Sequence, residues 1–285
     1  MTITQPPALS SGERATVRGV IVTAAVLFGV AVLTSLTVFA VGVGRARIIA
    51  DAQPLPADLR MLTIDAGDVP MAIRIRTDDD ATEPRVEMRF VSTAGHRQAL
   101  DITTAADTAR ITLRGETPHW FRWARGGELK VVLPPGVSQG LTLTTTQRYG
   151  ALMVDTDLTR LEARTDNGAV DLRGAAGTVE IHSLRGAIRS RAPIAVRDSF
   201  SATGVEGRIS VDFQDPPPPR IRATLDEGQV ELGLDGDGPF LVQAGTGDSG
   251  DRAVVRVPRT ANPAEAVSEV TARVGSGSVI VAART

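Results

Sequence analysis

The sequence predicts an all-β protein built from stacked repeats and preceded by one transmembrane helix. Three observations support this: a motif repeated seven times between residues 143 and 277, alternating apolar and polar residues around it, and one long uncharged segment near the start. Short alternating strands separated by glycine at a fixed period are typical of stacked β repeats, whose units bury each other's apolar faces. We therefore predict a β-solenoid, resembling a single-stranded β-helix, with an irregular β region at its N-terminal side.

Each repeat has an apolar residue, a small or apolar residue two positions later, and a glycine five positions after that. The alternation then resumes, as at Val170 and Leu172, but in the sixth copy Ser249 and Asp251 fill these positions and predict a degenerate unit. Stacked hairpins or a β-sandwich remain the alternative, because Asn167-Gly168 is also a hairpin turn signal. The copies span 143–150, 161–168, 179–186, 200–207, 221–228, 240–247 and 270–277.

The uncharged segment 19–44 predicts a single-pass transmembrane helix. Its 26 residues are rich in Val, Ala and Leu, and a bilayer core needs about 20. A buried core helix and a cleaved signal peptide are the alternatives, the latter because Val38-Phe39-Ala40 resembles a cleavage site. Arginines flank both ends of the segment, so charge leaves the orientation open.

The rest of the chain divides around this segment. We expect residues 1–18 to form a disordered cytoplasmic tail and residues 45–60, with two prolines, to form a juxtamembrane linker. Residues 61–285 form the predicted β-repeat domain, with regular repeats from residue 141. Within it, Pro134-Pro135-Gly136 stops a strand, and residues 262–270 predict a single helical turn.

Composition excludes several function classes. The net charge is −2, so bulk electrostatics do not favour a nucleic-acid partner. The chain has no cysteine, which excludes disulfides, thiolate catalysis and cysteine-bound zinc. We expect no cofactor.

The layout resembles the bacterial "putative adhesin" family, a domain of unknown function with a β-solenoid-like fold. The resemblance covers roughly residues 61 to 285, and its motifs are a strand ending at prolines followed by Thr-rich strand and glycine units. It implies attachment to the cell envelope and therefore an extracytoplasmic β domain, and it supplies no shared catalytic residues. The matching segments are 129–136 (LKVVLPPG), 141–146 (LTLTTT), 149–152 (YGAL) and 165–172 (TDNGAVDL).

No motif predicts a catalytic or metal site. Residues 247–250 (GDSG) resemble a serine-protease nucleophile motif, but they lie at a repeat glycine, where turn residues are expected. The acidic runs 78–80 and 235–237 lack the spacing of a calcium loop, so solvated turns are expected there. The three histidines also lack a zinc-binding spacing.

The most distinctive local feature is the segment 119–125 (HWFRWAR), which contains both tryptophans. Trp and Arg are enriched where proteins bind partners, whereas a core-facing strand is the simpler interpretation. We take its aromatic and arginine residues as the candidate interaction surface: Trp120, Phe121, Arg122, Trp123 and Arg125. The tetraproline 216–219 is expected to be a stiff loop, with partner recognition as the alternative.

These observations favour a non-enzymatic, membrane-anchored binding, adhesion or scaffold protein of the bacterial envelope. Its expected partners are the lipid bilayer, through residues 19–44, and an unidentified envelope ligand or protein. A sensor module acting through a membrane partner is the alternative. A polysaccharide hydrolase is more remote, because its carboxylates would have to cluster on one face.

Overall fold

The computed structural model describes Phe28 and residues 46–93, 99–114, 127–247 and 252–284. The chain divides into two compact units, residues 1–47 with 93–95 and residues 48–92 with 96–285. Nearly all described residues belong to the second unit, which contains the repeat strands.

The described residues form fifteen strands and one short helix, which confirms the predicted all-β class. The elements in chain order are β1 (Ala46–Pro54), β2 (Met61–Gly67), β3 (Met71–Thr77), β4 (Arg85–Thr93), β5 (Ala99–Ala105), β6 (Thr108–Arg114), β7 (Gly127–Leu133), α1 (Pro135–Ser138), β8 (Thr142–Asp155), β9 (Leu158–Arg173), β10 (Ala175–Ser190), β11 (Ala195–Asp212), β12 (Arg220–Leu234), β13 (Phe240–Thr246), β14 (Arg252–Arg256) and β15 (Ser268–Ala283).

Six long strands stack in parallel in the order β8, β9, β10, β11, β12 and β15. Six of the seven sequence copies lie in register, because each repeat glycine pairs with the next one along the stack. Hairpins would give antiparallel pairs, so this part of the chain is not built from stacked hairpins. The paired glycines are Gly150, Gly168, Gly186, Gly207, Gly228 and Gly277.

Each long strand has two arms that meet at its repeat glycine, and we call one such pair of arms a rung. In β8, the buried residues are odd-numbered before Gly150, as at Leu143, and even-numbered after it, as at Leu152. Successive strand residues point to opposite faces, so this change of parity keeps the apolar side chains of both arms in one core.

The corner between the arms requires glycine for two reasons. Gly207 has a φ of 146°, a conformation that side-chain-bearing residues rarely adopt. A Cβ atom at this position would also overlap the carbonyl oxygen of Gly186 on the preceding rung. Stacking the corners at strand spacing therefore leaves no room for a side chain, which explains why glycine recurs in the motif.

The same ladder extends to the N-terminal side of the repeats. Strands β2 and β3 pair in parallel with the two arms of β8, and β6 and β7 pair in parallel with β2 and β3. The antiparallel strands β4 and β5 then cover β7 and β6. Among the described residues, the ladder thus contains nine rungs: β6/β7, β2/β3, β8, β9, β10, β11, β12, β15 and β13/β14.

The sixth sequence copy forms the outermost rung at the C-terminal side, beyond β15. Aligning the repeat copies by their motif would pair Phe240 with Val270, but in the structure Val242 pairs with Val270, so the register is shifted by two residues. In the second arm, Ala253 and Val255 pair with Val279 and Val281. The positions assigned from sequence to Ser249 and Asp251 are therefore filled by Ala253 and Val255. The sixth unit is nevertheless degenerate, as predicted, because its two arms are separate short strands and its register is shifted.

Two smaller predictions agree with the structure. Strand β7 ends at Leu133 directly before the prolines. A single turn follows Asn262, whose side-chain oxygen accepts a hydrogen bond from the Ala264 amide at 3.1 Å. Strand β15, however, begins within the predicted 262–270 turn, at Ser268.

Among the described residues, no helix combines the length and the apolar character needed to cross a bilayer. Apart from Phe28, the predicted span 19–44 lies outside the described residues.

Candidate functional site

A pocket of about 200 Å³ opens on the outer face of the second arms. Pairing across three rungs places Arg74 beside Met153 and Met153 beside Asp171, and it likewise places Asp155 beside Arg173. We call this feature the arginine pocket and define it by its charged and thioether side chains: Arg74, Met153, Asp155, Asp171, Arg173 and Arg191.

Asp171 forms the buried part of the pocket wall, with a side chain only 6% exposed. Arg189 on the next rung donates two hydrogen bonds to it through Nε and Nη2. Arg191 donates from Nε at 3.1 Å and from Nη2 at 2.6 Å to Asp171 Oδ2. Burial raises the pKa of Asp171, but hydrogen bonds and charge from the two guanidinium groups outweigh it, so the pKa is lowered. Asp171 is thus an ionised group that holds both arginines in place.

The other two arginines of the pocket are only weakly paired. Arg74 Nε lies 3.6 Å from Glu128 Oε1, and its Nη2 group lies 3.7 Å from Met153 Sδ. Arg173 Nη1 lies 3.9 Å from Asp155 Oδ2, which is beyond hydrogen-bond distance. Both guanidinium groups therefore have N–H donors available for a planar oxyanion such as a carboxylate.

A second polar feature lies on the outer face of the first arms. His182 Nδ1 is 2.6 Å from Thr203 Oγ1, and His182 Nε2 is 3.1 Å from Glu180 Oε1. The hydrogen bond from His182 lowers the pKa of Glu180, and Arg160 lies 3.4 Å from the same carboxylate. A hydroxyl, an imidazole and a carboxylate in this order are the groups of a nucleophilic triad.

Acyl-transfer chemistry also requires hydrogen-bond donors directed at the developing oxyanion. Thr203 and His182 lie within paired strands, where the backbone amide groups take part in the parallel ladder. Amide groups used in the ladder are not free to stabilise an oxyanion beside the Thr203 hydroxyl. The geometry therefore favours a surface hydrogen-bond network across neighbouring rungs.

The predicted interaction surface, Trp120 to Arg125, lies outside the described residues. Its described neighbours are Arg114, the end of β6, and Gly127, the start of β7, which are the two arms of one rung. The protease-like motif is also outside the described residues beyond Gly247.

The acidic runs and the tetraproline make contacts within the chain. Asp78 accepts a hydrogen bond from Arg76, and this bond lowers the pKa of Asp78. Asp235 Oδ2 lies 3.6 Å from Arg284 Nη1. Pro217 and Pro218 are buried, and the Pro218 carbonyl accepts a 2.6 Å hydrogen bond from Ser268 Oγ. The tetraproline is thus a loop packed against the start of β15, and its stiffness stays a prediction. In the part of the chain that the structure describes, no three or more His, Cys, Asp or Glu residues are grouped to hold a metal ion.

The arginine pocket was not predicted from the sequence, because its residues come from separate rungs. A signal was nevertheless present, since charged residues occur three and five positions after the repeat glycine Gly168, at Asp171 and Arg173. Only the pairing of the rungs shows that Arg74 and Arg191 line the same pocket.

No protein-family model matches this sequence, and no curated protein is similar to it. Solved structures similar to this chain include a "putative adhesin" from Bacteroides fragilis, with 14% identity, a TM-score of 0.42 and coverage of 82% of this chain and 97% of that chain. A "putative adhesin" from Parabacteroides distasonis gives the same values. A "putative lipid binding protein" from Parabacteroides distasonis has 10% identity, a TM-score of 0.31 and coverage of 84% and 97%. These values establish neither a family nor a function for the chain.

Proposed function

We propose that this protein is a non-enzymatic binding module that attaches to a ligand of the bacterial cell envelope or surface. The observation that supports the proposal is the arginine pocket, in which weakly paired guanidinium groups face outward from a rigid stack of rungs. Rigid elements hold binding groups with little loss of conformational freedom, which favours recognition at such a surface. The parallel stack itself is best classified as a β-solenoid.

A sedimentation assay tests the binding proposal. The full chain, solubilised in mild detergent, is mixed with insoluble cell-wall polymers prepared from bacteria, and the bound fraction is measured after centrifugation. We expect saturable retention that heat-unfolded protein does not show. Retention no greater than on an inert polymer such as cellulose would contradict a wall-binding function.

We also propose that residues 19–44 anchor the chain in the plasma membrane, with the β domain outside. The chain contains no cysteine, so a Leu184→Cys variant carries a single thiol at a side chain that is 52% exposed. A membrane-impermeant maleimide should label this variant in intact cells. Labelling only after lysis would contradict the orientation.

The segment from Trp120 to Arg125 remains a proposed second contact surface. We expect a Trp120→Ala, Trp123→Ala double variant to be retained less well on the polymer than the wild-type chain, because large aromatic side chains often carry binding energy. An Arg222→Ala variant, changed on the outer face of a first arm, is the matched control. Equal retention of all three proteins would exclude this surface.

A further inference from the structure

We propose that the arginine pocket binds an acidic sugar, specifically a hexuronate residue within a surface polysaccharide. This inference rests on the proposed binding function and assigns a ligand class to the site. It is carried by the size of the pocket, the pairing of its arginines and its mixture of charged and apolar side chains.

The size of the pocket favours one small group over a whole cofactor. Its volume of about 200 Å³ lies below the roughly 300–1,000 Å³ of typical small-molecule sites. The pocket lies on an open sheet face that continues along neighbouring rungs. It therefore suits one residue of a longer polymer whose remaining residues extend over the face.

The charges of the pocket favour a carboxylate on that residue. Arg74 and Arg173 have guanidinium groups held only at 3.6 Å and 3.9 Å from acidic oxygens. A guanidinium forms paired hydrogen bonds with a planar carboxylate, so a ligand carboxylate would gain bonds that neither arginine now makes.

Asp171 acts as a positioning residue for the third arginine. It accepts hydrogen bonds from Nε and Nη2 of Arg191, which leaves the Nη1 group available at the pocket. The Asp171 side chain is buried, and its negative charge is balanced by ion pairs with Arg189 and Arg191. Arg191 can therefore donate to a ligand without having to be ordered first.

The remaining two side chains fit the rest of a sugar ring. The Asp155 carboxylate is 57% exposed and can accept hydrogen bonds from ring hydroxyl groups. The Met153 thioether supplies an adaptable apolar contact for the C–H face of the ring. Asp155 repels any anion bound at the arginines, but an acidic sugar offsets this repulsion because its ring hydroxyl groups can donate hydrogen bonds to the carboxylate. An inorganic anion without hydroxyl groups has no such compensation, so the presence of Asp155 favours the acidic sugar.

Isothermal titration calorimetry on the full chain in detergent tests the assignment, with trigalacturonate, maltotriose and inorganic phosphate as probes. We expect trigalacturonate to bind, maltotriose to bind at least about tenfold more weakly, and raised salt to weaken trigalacturonate binding. Arg173→Gln should reduce trigalacturonate affinity about tenfold or more, through the loss of one charge-assisted pair. Arg222→Gln is the control and should bind as the wild type does.

The effect of Asp155→Asn on binding distinguishes a sugar-binding site from a simple anion-binding site. At a sugar site, this change weakens trigalacturonate binding, because the carboxylate accepts hydrogen bonds from ring hydroxyl groups. At an anion site, it strengthens the binding of both trigalacturonate and phosphate, because repulsion is removed.

Four results would overturn the inference: equal affinity for maltotriose and trigalacturonate, phosphate binding as tight as trigalacturonate binding, no effect of Arg173→Gln, or stronger binding of both trigalacturonate and phosphate by Asp155→Asn. If trigalacturonate does not bind while the chain is retained on wall polymers, the acidic-sugar assignment fails and the binding function stands. If retention is also absent, both fail.

Discussion

Asp171 is the only buried acidic side chain among the described residues, and its two arginine partners determine its effect on stability. Its folded-state pKa lies below the ordinary value of 3.8. A carboxyl with a lowered folded-state pKa stabilises the protein above its unfolded-state pKa, and this contribution is lost as the pH falls through the folded-state value.

We therefore expect Asp171→Asn to lower the free energy of unfolding at pH 7 by about 1.5–3 kcal/mol, the usual range for hydrogen bonds to a charged group. Urea denaturation should show the difference from wild type shrinking as the pH falls below 3.8. Asp226→Asn, which changes an exposed carboxylate, is the control and should have little effect. A difference that is unchanged at low pH would contradict a role for the ionised carboxylate.

Thr165 shows the opposite situation, a buried polar group without a hydrogen-bond partner among the residues that the structure describes. Its Oγ1 atom lies on an inner position of the ladder between Gln147 and Ser183, whose side chains also have unpartnered buried atoms. An unpaired buried hydroxyl costs about 1–3 kcal/mol by mutational measurements.

We predict that Thr165→Val raises the free energy of unfolding by about 1 kcal/mol, because it replaces the hydroxyl with a methyl group of similar size. Thermal or urea unfolding measures the change, and Thr146→Val on the exposed face should be nearly neutral. Destabilisation by Thr165→Val would instead indicate that an internal water accepts or donates the hydrogen bonds of Gln147, Thr165 and Ser183.

At the scale of the element, the glycine corner limits what each rung tolerates. We expect Gly207→Ala to destabilise the protein by about 3 kcal/mol or more, since it combines an unfavourable φ with a clash against a backbone carbonyl. Gly245→Ala in β13 is the matched control, because a Cβ there meets nothing within 4 Å. Similar unfolding midpoints for the two variants in urea would show that the corner can relax.

At the scale of the whole molecule, rung order departs from chain order at both ends. The β2/β3 rung lies between β6/β7 and β8, and β15 lies between β12 and the β13/β14 rung. Strand β15 is therefore an internal rung with neighbours on both sides.

Hydrogen exchange measured by mass spectrometry can test this arrangement on the intact protein. We expect peptides from β15 to be protected about as well as those from β12, and peptides from β13 to exchange faster, because β13 lies in the outermost rung. Exchange of β15 as fast as that of β13 would contradict the observed order.

The sequence by itself determined the all-β class and the register of six repeat copies. It did so because the corner glycine and the alternation of inner residues are local requirements that every rung repeats. The positions of Leu143 and Leu152 hold apolar residues in all six of these copies, and Gly150 marks the corner between them.

The tertiary structure alone decided the rung order, the register of β13 and the assembly of the arginine pocket. A shift of two residues leaves every side chain on the same face, so alternation could not distinguish Val242 from Phe240 as the partner of Val270. The pocket brings Arg74 and Arg173 together from rungs that are distant in sequence. The repeat register already aligns β8, β9 and β10, but Arg74 reaches the pocket only because β3 pairs with β8, and no repeat motif encodes that pairing.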